Sequence, residues 1–192
     1  MSHALVLALI LGGSVAAQPV KPLTLQVRVF HGSQEVTADT RVTVHRAGER
    51  GDPVAQTRGR HGRVDLTVPP GIYDVQAIRE REGRVLNIRW AERLVVMPYP
   101  DEEGRHLEVI NFLNGYGALQ VRQRGTAALE AAIYAPADHD HPAASPRVEG
   151  QDYILFVVLA GKYDVQTRSA GQATWHTQID VPLDRTRLWF VP

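Results

Sequence analysis

Period two runs along most of the chain. Leu23, Leu25, Val27 and Val29 alternate with Thr24, Gln26 and Arg28, the pattern of a strand with one buried and one wetted face. Val42 and Val44 alternate with Thr43 and His45, and Val64, Leu66 and Val68 alternate with Asp65 and Thr67. Pro69-Pro70-Gly71 interrupts the pattern, after which Tyr73, Val75 and Ala77 resume an inward face. Glu82-Gly83 reads as a hairpin turn. Beyond it Leu86, Ile88, Trp90, Leu94 and Val96 share one parity, which predicts a core position for Trp90. A closing strand is expected over 106–112. Residues 126–132 come nearest to a helical period, but they align with strand sequence elsewhere in the chain.

That alignment comes from an internal repeat. Leu25-Gln26-Val27-Arg28 recurs as Leu119-Gln120-Val121-Arg122, and Gly71-Ile72-Tyr73-Asp74-Val75-Gln76 as Gly161-Lys162-Tyr163-Asp164-Val165-Gln166. Trp90 with Leu94 and Val96 recurs as Trp175 with Ile179 and Val181, so Trp175 is also expected in a core, as are Tyr73 and Tyr163. The landmarks keep their order while the offset shrinks, as loop deletions in the second copy would cause. The reading is all-β: two tandem antiparallel β-sandwiches, immunoglobulin-like or prealbumin-like, over 23–112 and 116–192. They join near Asn114-Gly115-Tyr116-Gly117.

An alternating strand, a glycine turn into x-Tyr-Asp-Val-Gln, a hairpin and a closing strand together resemble the transthyretin-like or carboxypeptidase-regulatory-like β-sandwich. Such modules occur in tandem in exported bacterial proteins, some of them associated with von Willebrand factor A domains. The resemblance implies a fold and an interaction role, with no common catalytic site. Related adhesin repeats form lysine isopeptide crosslinks, but Lys162 is the one lysine within either copy and lies beside Tyr163 on the outward parity.

The N-terminus changes the picture of compartment. Residues 4–11 form an apolar run, Gly12-Gly13 breaks it, and Val15-Ala16-Ala17 offers a cleavage site, so 1–17 reads as a signal peptide. The run is too short to span a bilayer, which takes about 20 apolar residues. A periplasmic or secreted protein is expected. The 192 residues carry 21 Lys plus Arg against 21 Asp plus Glu, a net charge of zero. That balance argues against nucleic acid as a partner. The chain has no cysteine, which excludes disulfides, thiolate metal sites, cysteine nucleophiles and a lipid-modified cysteine anchor.

Candidate chemistry is sparse. Asp138, His139, Asp140 and His141 form the densest group of potential metal ligands, on a segment flanked by Pro136, Pro142 and Pro146 that reads as a loop. An extended backbone points neighbouring residues to opposite sides. At most two of the four can converge on one ion. Arg58, Arg60, His61 and Arg63, interleaved with Gly59 and Gly62, form a basic turn with no stacking aromatics beside it in sequence. Arg50-Gly51-Asp52 matches a short adhesion tripeptide, and Asp101-Glu102-Glu103-Gly104 reads as a solvated acidic turn. No nucleophile elbow, HExxH, P-loop or dinucleotide fingerprint occurs. A non-enzymatic protein without cofactor is expected.

The copies differ on one strand. Where the first has Arg63, Asp65 and Thr67 outward, the second has Tyr153, Leu155 and Val157. A strand apolar on both faces has to be covered on both. Tyr153, Leu155 and Val157 are therefore the expected contact surface, covered by a partner or by the first copy. The expected function is an exported interaction module for an envelope or extracellular protein or polysaccharide. The alternative is a periplasmic metal-binding protein using the segment from Asp138 to His141.

Overall fold

In the computed structural model, residues 21–98, 105–124, 129–149, 153–169 and 171–192 are described. The expected signal peptide and the acidic turn at 101–104 lie outside them. The elements are β1 (Leu23–His31), β2 (Gln34–Glu35), a single 3-10 turn (Thr37–Asp39), β3 (Thr40–Arg46), β4 (Ala55–Arg58), β5 (Val64–Val68), β6 (Gly71–Arg81), β7 (Arg84–Val96) and β8 (Arg105–Asn111). The second half adds β9 (Tyr116–Arg122), β10 (Glu130–Ala135), β11 (Asp138–Ala144), β12 (Val148–Glu149), β13 (Ile154–Leu159), β14 (Gly161–Ser169), β15 (Gln172–Val181) and β16 (Thr186–Phe190). Among the described residues no helix is long and apolar enough to cross a membrane.

The same topology occurs twice. β1 pairs antiparallel with β5 and parallel with β8; β9 pairs antiparallel with β13 and parallel with β16. The facing sheets run β4-β3-β6-β7 and β11-β10-β14-β15. In each half the inward residues of both sheets meet in one core. Leu25, Val27 and Leu66 face Val44, Val75 and Leu94 in the first. Leu119, Phe156 and Val158 face Ile133, Val165 and Val181 in the second. The molecule is thus a pair of β-sandwiches, each built from one mixed and one antiparallel sheet.

The repeated glycine-tyrosine signature has a structural cause. Tyr73 donates its hydroxyl to the Pro69 carbonyl at 2.7 Å, and Tyr163 donates to Leu159 at 2.8 Å. Each tyrosine thereby ties the start of its strand to the turn before it. Its ring lies on the core, and that burial pushes both hydroxyls above the ordinary tyrosine range. Glu82 and Gly83 adopt φ +51° and +75°, the left-handed pair that a two-residue hairpin requires.

A third apolar cluster joins the halves. Phe30, Leu107 and Val109 from the outer face of the first mixed sheet pack on Ala118, Leu155 and Val157 from the second. Across this seam Arg89 pairs with Asp184 at 2.7 Å, and Arg185 donates to the Glu92 carbonyl at 2.6 Å. At its edge the Val109 N–H donates to Thr186 Oγ1, and the Thr186 N–H donates to Glu108.

Candidate functional site

The expected contact strip is the seam itself. Leu155 is 0% and Val157 2% exposed, and their cover is the first half of the same chain. This corrects the expectation of a partner surface there: Phe30, Leu107 and Val109 already occupy it. Tyr153 lies at the margin, with its hydroxyl donating to Gln26 Oε1 at 3.2 Å and the Arg122 guanidinium over its ring.

The tryptophans are a second correction. Both lie on the outer faces of the antiparallel sheets, not in the cores. Tyr73 is opposite Leu94 and Val75 is opposite Ala91, so Asp74 alone faces both Glu92 and Arg93 of β7. The same bulge separates the Tyr163–Ile179 pair from Val165–His176. One extra residue reverses the parity of everything beyond it. Trp90 therefore sits beside outward Gln76, and Trp175 beside Gln166.

Each tryptophan organises a matching cluster. In the first half Trp90 covers His45, ring centroids 5.6 Å apart, and receives the Arg50 guanidinium 4.4 Å above its own centroid. In the second, Trp175 stacks on His139 at 4.3 Å and 17°, with the Tyr134 ring at 4.9 Å. His45 and Tyr134 are equivalent, each paired in register with the aspartate of its copy, Asp74 or Asp164. Beneath each cluster that aspartate is 4% exposed. Asp74 accepts the N–H groups of Arg93 and Gly48 at 2.8 and 3.0 Å. Asp164 accepts the Gln178 N–H at 2.9 Å and the His139 Nε2–H at 2.7 Å. In both cases the backbone donor at the bulge does most to hold the carboxyl below its usual range, followed by Gly48 or His139.

The segment from Asp138 to His141 is strand rather than loop: it begins β11, the edge strand beside β10. Pro142 is accommodated because an edge position has an unpaired side. The geometry separates the four candidate ligands. His139 Nε2 is committed to Asp164 and its ring to Trp175, whereas His141 Nδ1 lies 3.3 Å from Asp138 on the exposed side. Among the described residues no group of three or more His, Asp or Glu is placed to hold a metal ion.

Arg60 and Arg63 flank a two-residue turn closed by reciprocal backbone hydrogen bonds of 3.2 Å. His61 and Gly62 take φ +51° and +75° at its tip. The turn is anchored by Gly59, where a Cβ would fall 1.8 Å from the Thr37 carbonyl oxygen. Arg50 of the adhesion-like tripeptide is engaged with Trp90 and Glu92.

No family model and no curated protein matches the chain. Among solved structures it is similar to the C-terminally truncated tip fimbrial protein Mfa3 from Porphyromonas gingivalis. That match has 11% identity and a TM-score of 0.34, covering 88% of this chain and 94% of that one. It is also similar to a protein described as a cell adhesion protein from Bacteroides ovatus (10% identity, TM-score 0.29, covering 91% and 92%). A third similarity is to the Bacillus anthracis TIE protein, at 15% identity and a TM-score of 0.31. It covers 89% of this chain, which spans 34% of the TIE protein's length.

Proposed function

We propose that the chain is a non-enzymatic exported interaction module. Two tandem sandwiches of the transthyretin-like or carboxypeptidase-regulatory-like kind, over 23–112 and 116–192, follow a signal peptide at 1–17. They present their outer sheet faces to a protein or polysaccharide of the envelope or the extracellular space.

The observation that supports this reading is the repeated placement of a tryptophan on a solvent-side sheet face. Trp175 is 39% exposed, and on the first face Val85, Leu86 and Ile88 of edge strand β7 are 56%, 47% and 57% exposed. Aromatic groups that a core does not need are the usual anchors of recognition surfaces. Two such faces on one chain also allow a repetitive partner to be held at two points, multiplying modest affinities.

The test compares immobilised residues 18–192 with a Trp90→Ala/Trp175→Ala variant, using envelope protein and polysaccharide fractions. Circular dichroism first confirms that both are folded. The wild type should retain a component that the variant loses. Equal retention by both, or none by either, would count against the tryptophan faces as the binding surface.

A further inference from the structure

The basic turn does not stand alone. It faces the second half across a cleft of about 780 Å³ whose walls include Arg28, Arg58, Arg60 and Arg63 on one side and Tyr153 on the other. On a chain of zero net charge, four arginines around one cleft are a local concentration of positive potential. The volume falls in the range of roughly 300–1,000 Å³ typical of small-ligand sites.

The four arginines are not equally committed. Arg28 makes a two-pronged pair with Glu35 at 3.1 and 3.3 Å, and Arg58 is paired with Glu80. Arg63 meets Asp65 at 3.1 Å with both side chains well exposed, a pair that solvent weakens and a ligand can displace. Arg60 has no carboxylate partner among the described residues. The turn fixes Arg60 and Arg63 side by side, with backbone bonds and left-handed dihedrals that leave it little freedom. The opposite wall is held by the Tyr153–Gln26 hydrogen bond. The cleft is thus preorganised by contacts between the halves.

The geometry points to an acidic oligosaccharide as the ligand, its carboxylate or sulfate bound by Arg60 and Arg63. Planar guanidinium groups match either oxyanion in a two-pronged fashion. The rest of the lining favours a sugar over a bare polyanion. Asp65 and the Thr57 hydroxyl can bond ring hydroxyls, and Tyr153 offers a partly buried aromatic wall. A ligand carrying only negative charge would meet repulsion from Asp65. This site is independent of the tryptophan faces.

Calorimetry on the purified protein tests it, with trigalacturonate and a sulfated heparin-derived tetrasaccharide as acidic probes. A neutral chitotriose and sodium sulfate are the controls. At least one acidic probe should bind, more weakly as salt is raised. Arg60→Ala/Arg63→Ala should weaken it by about tenfold or more, and Trp90→Ala/Trp175→Ala should leave it unchanged. Both arginines are exposed, and circular dichroism checks that their removal leaves the fold intact. No heat with either acidic probe at millimolar concentration would overturn the proposal. So would chitotriose or free sulfate binding as tightly as the acidic sugars, or undiminished binding by the arginine variant. Loss confined to the tryptophan variant would assign the sugar to the outer faces and equally overturn it.

Discussion

The Asp74 carboxylate accepts the Arg93 backbone N–H at 2.8 Å, across paired strands, where Arg93 enters the left-handed region at φ +53°. Asp164 holds Gln178 at 2.9 Å in the same way, with φ +60°. A bulge leaves a backbone donor without a ladder partner, and a buried donor left unsatisfied is costly. The aspartate of the Tyr-Asp-Val-Gln signature supplies the acceptor, so its recurrence and the bulge are one feature.

Asp74→Asn tests that account through pH. The folded-state pKa of Asp74 is lowered, first by the Arg93 N–H and then by that of Gly48. Its stabilisation is therefore complete above the unfolded value of about 3.9 and is lost as pH falls through the folded value. The variant should have a lower urea midpoint at pH 7 and converge on the wild type in acid. A gap of constant size from pH 7 to the acid limit would mean that the carboxylate charge is not what stabilises the bulge.

The seam predicts a different response from a solvent-facing strip. Leu155→Ala removes a side chain that is 0% exposed between the halves, which should cost about 2–5 kcal/mol. Leu155→Asp/Val157→Lys should abolish a cooperative thermal transition. If the charged pair instead melts at the wild-type temperature, the halves do not pack on each other in solution.

Strands and their core faces were legible wherever period two ran unbroken, as in Leu23 to Val29 and Val64 to Val68, but not the parallel pairing of β8 on β1 or of β16 on β9. The doubled apolar faces of Leu155 and Val157 signalled a second cover, but alternation does not say whether that cover is inter- or intramolecular. Parity failed at Trp90 and Trp175 because each bulge adds a residue that hydrophobicity does not mark. A positive φ at Arg93 or Gln178 has no glycine or asparagine to announce it. β11 was hidden for another reason: an edge strand of Asp, His, Pro and Ala lacks the β-branched residues by which strands are recognised. The basic turn was visible in sequence, whereas Tyr153 joins it only through the packing of the two halves.

Zinc titration separates the geometry of β11 from its composition. Coordination through His139 Nε2 would have to break a 2.7 Å bond to Asp164 and disturb a stacked tryptophan. Wild type and His139→Ala/His141→Ala should therefore show no difference in calorimetric heat at micromolar zinc. Zinc binding that is seen with the wild type and disappears in the variant would restore a metal role.

Glu108 gives the opposite pH signature to Asp74. It is 3% exposed at the seam, and burial raises its pKa more than the nearby His106, the Thr186 N–H and Arg185 lower it. Between the unfolded value of about 4.3 and the higher folded value, the folded chain binds more protons than the unfolded one. Stability contributed by this group is therefore present at low pH and declines as pH rises through that window. Glu108→Gln keeps an oxygen acceptor for Thr186 and carries no charge to desolvate. Its urea midpoint should match that of the wild type near pH 4 and exceed it at pH 8. If the wild type becomes the more stable as pH rises, attraction to His106 and Arg185 outweighs desolvation, and the buried carboxylate strengthens the seam instead of weakening it.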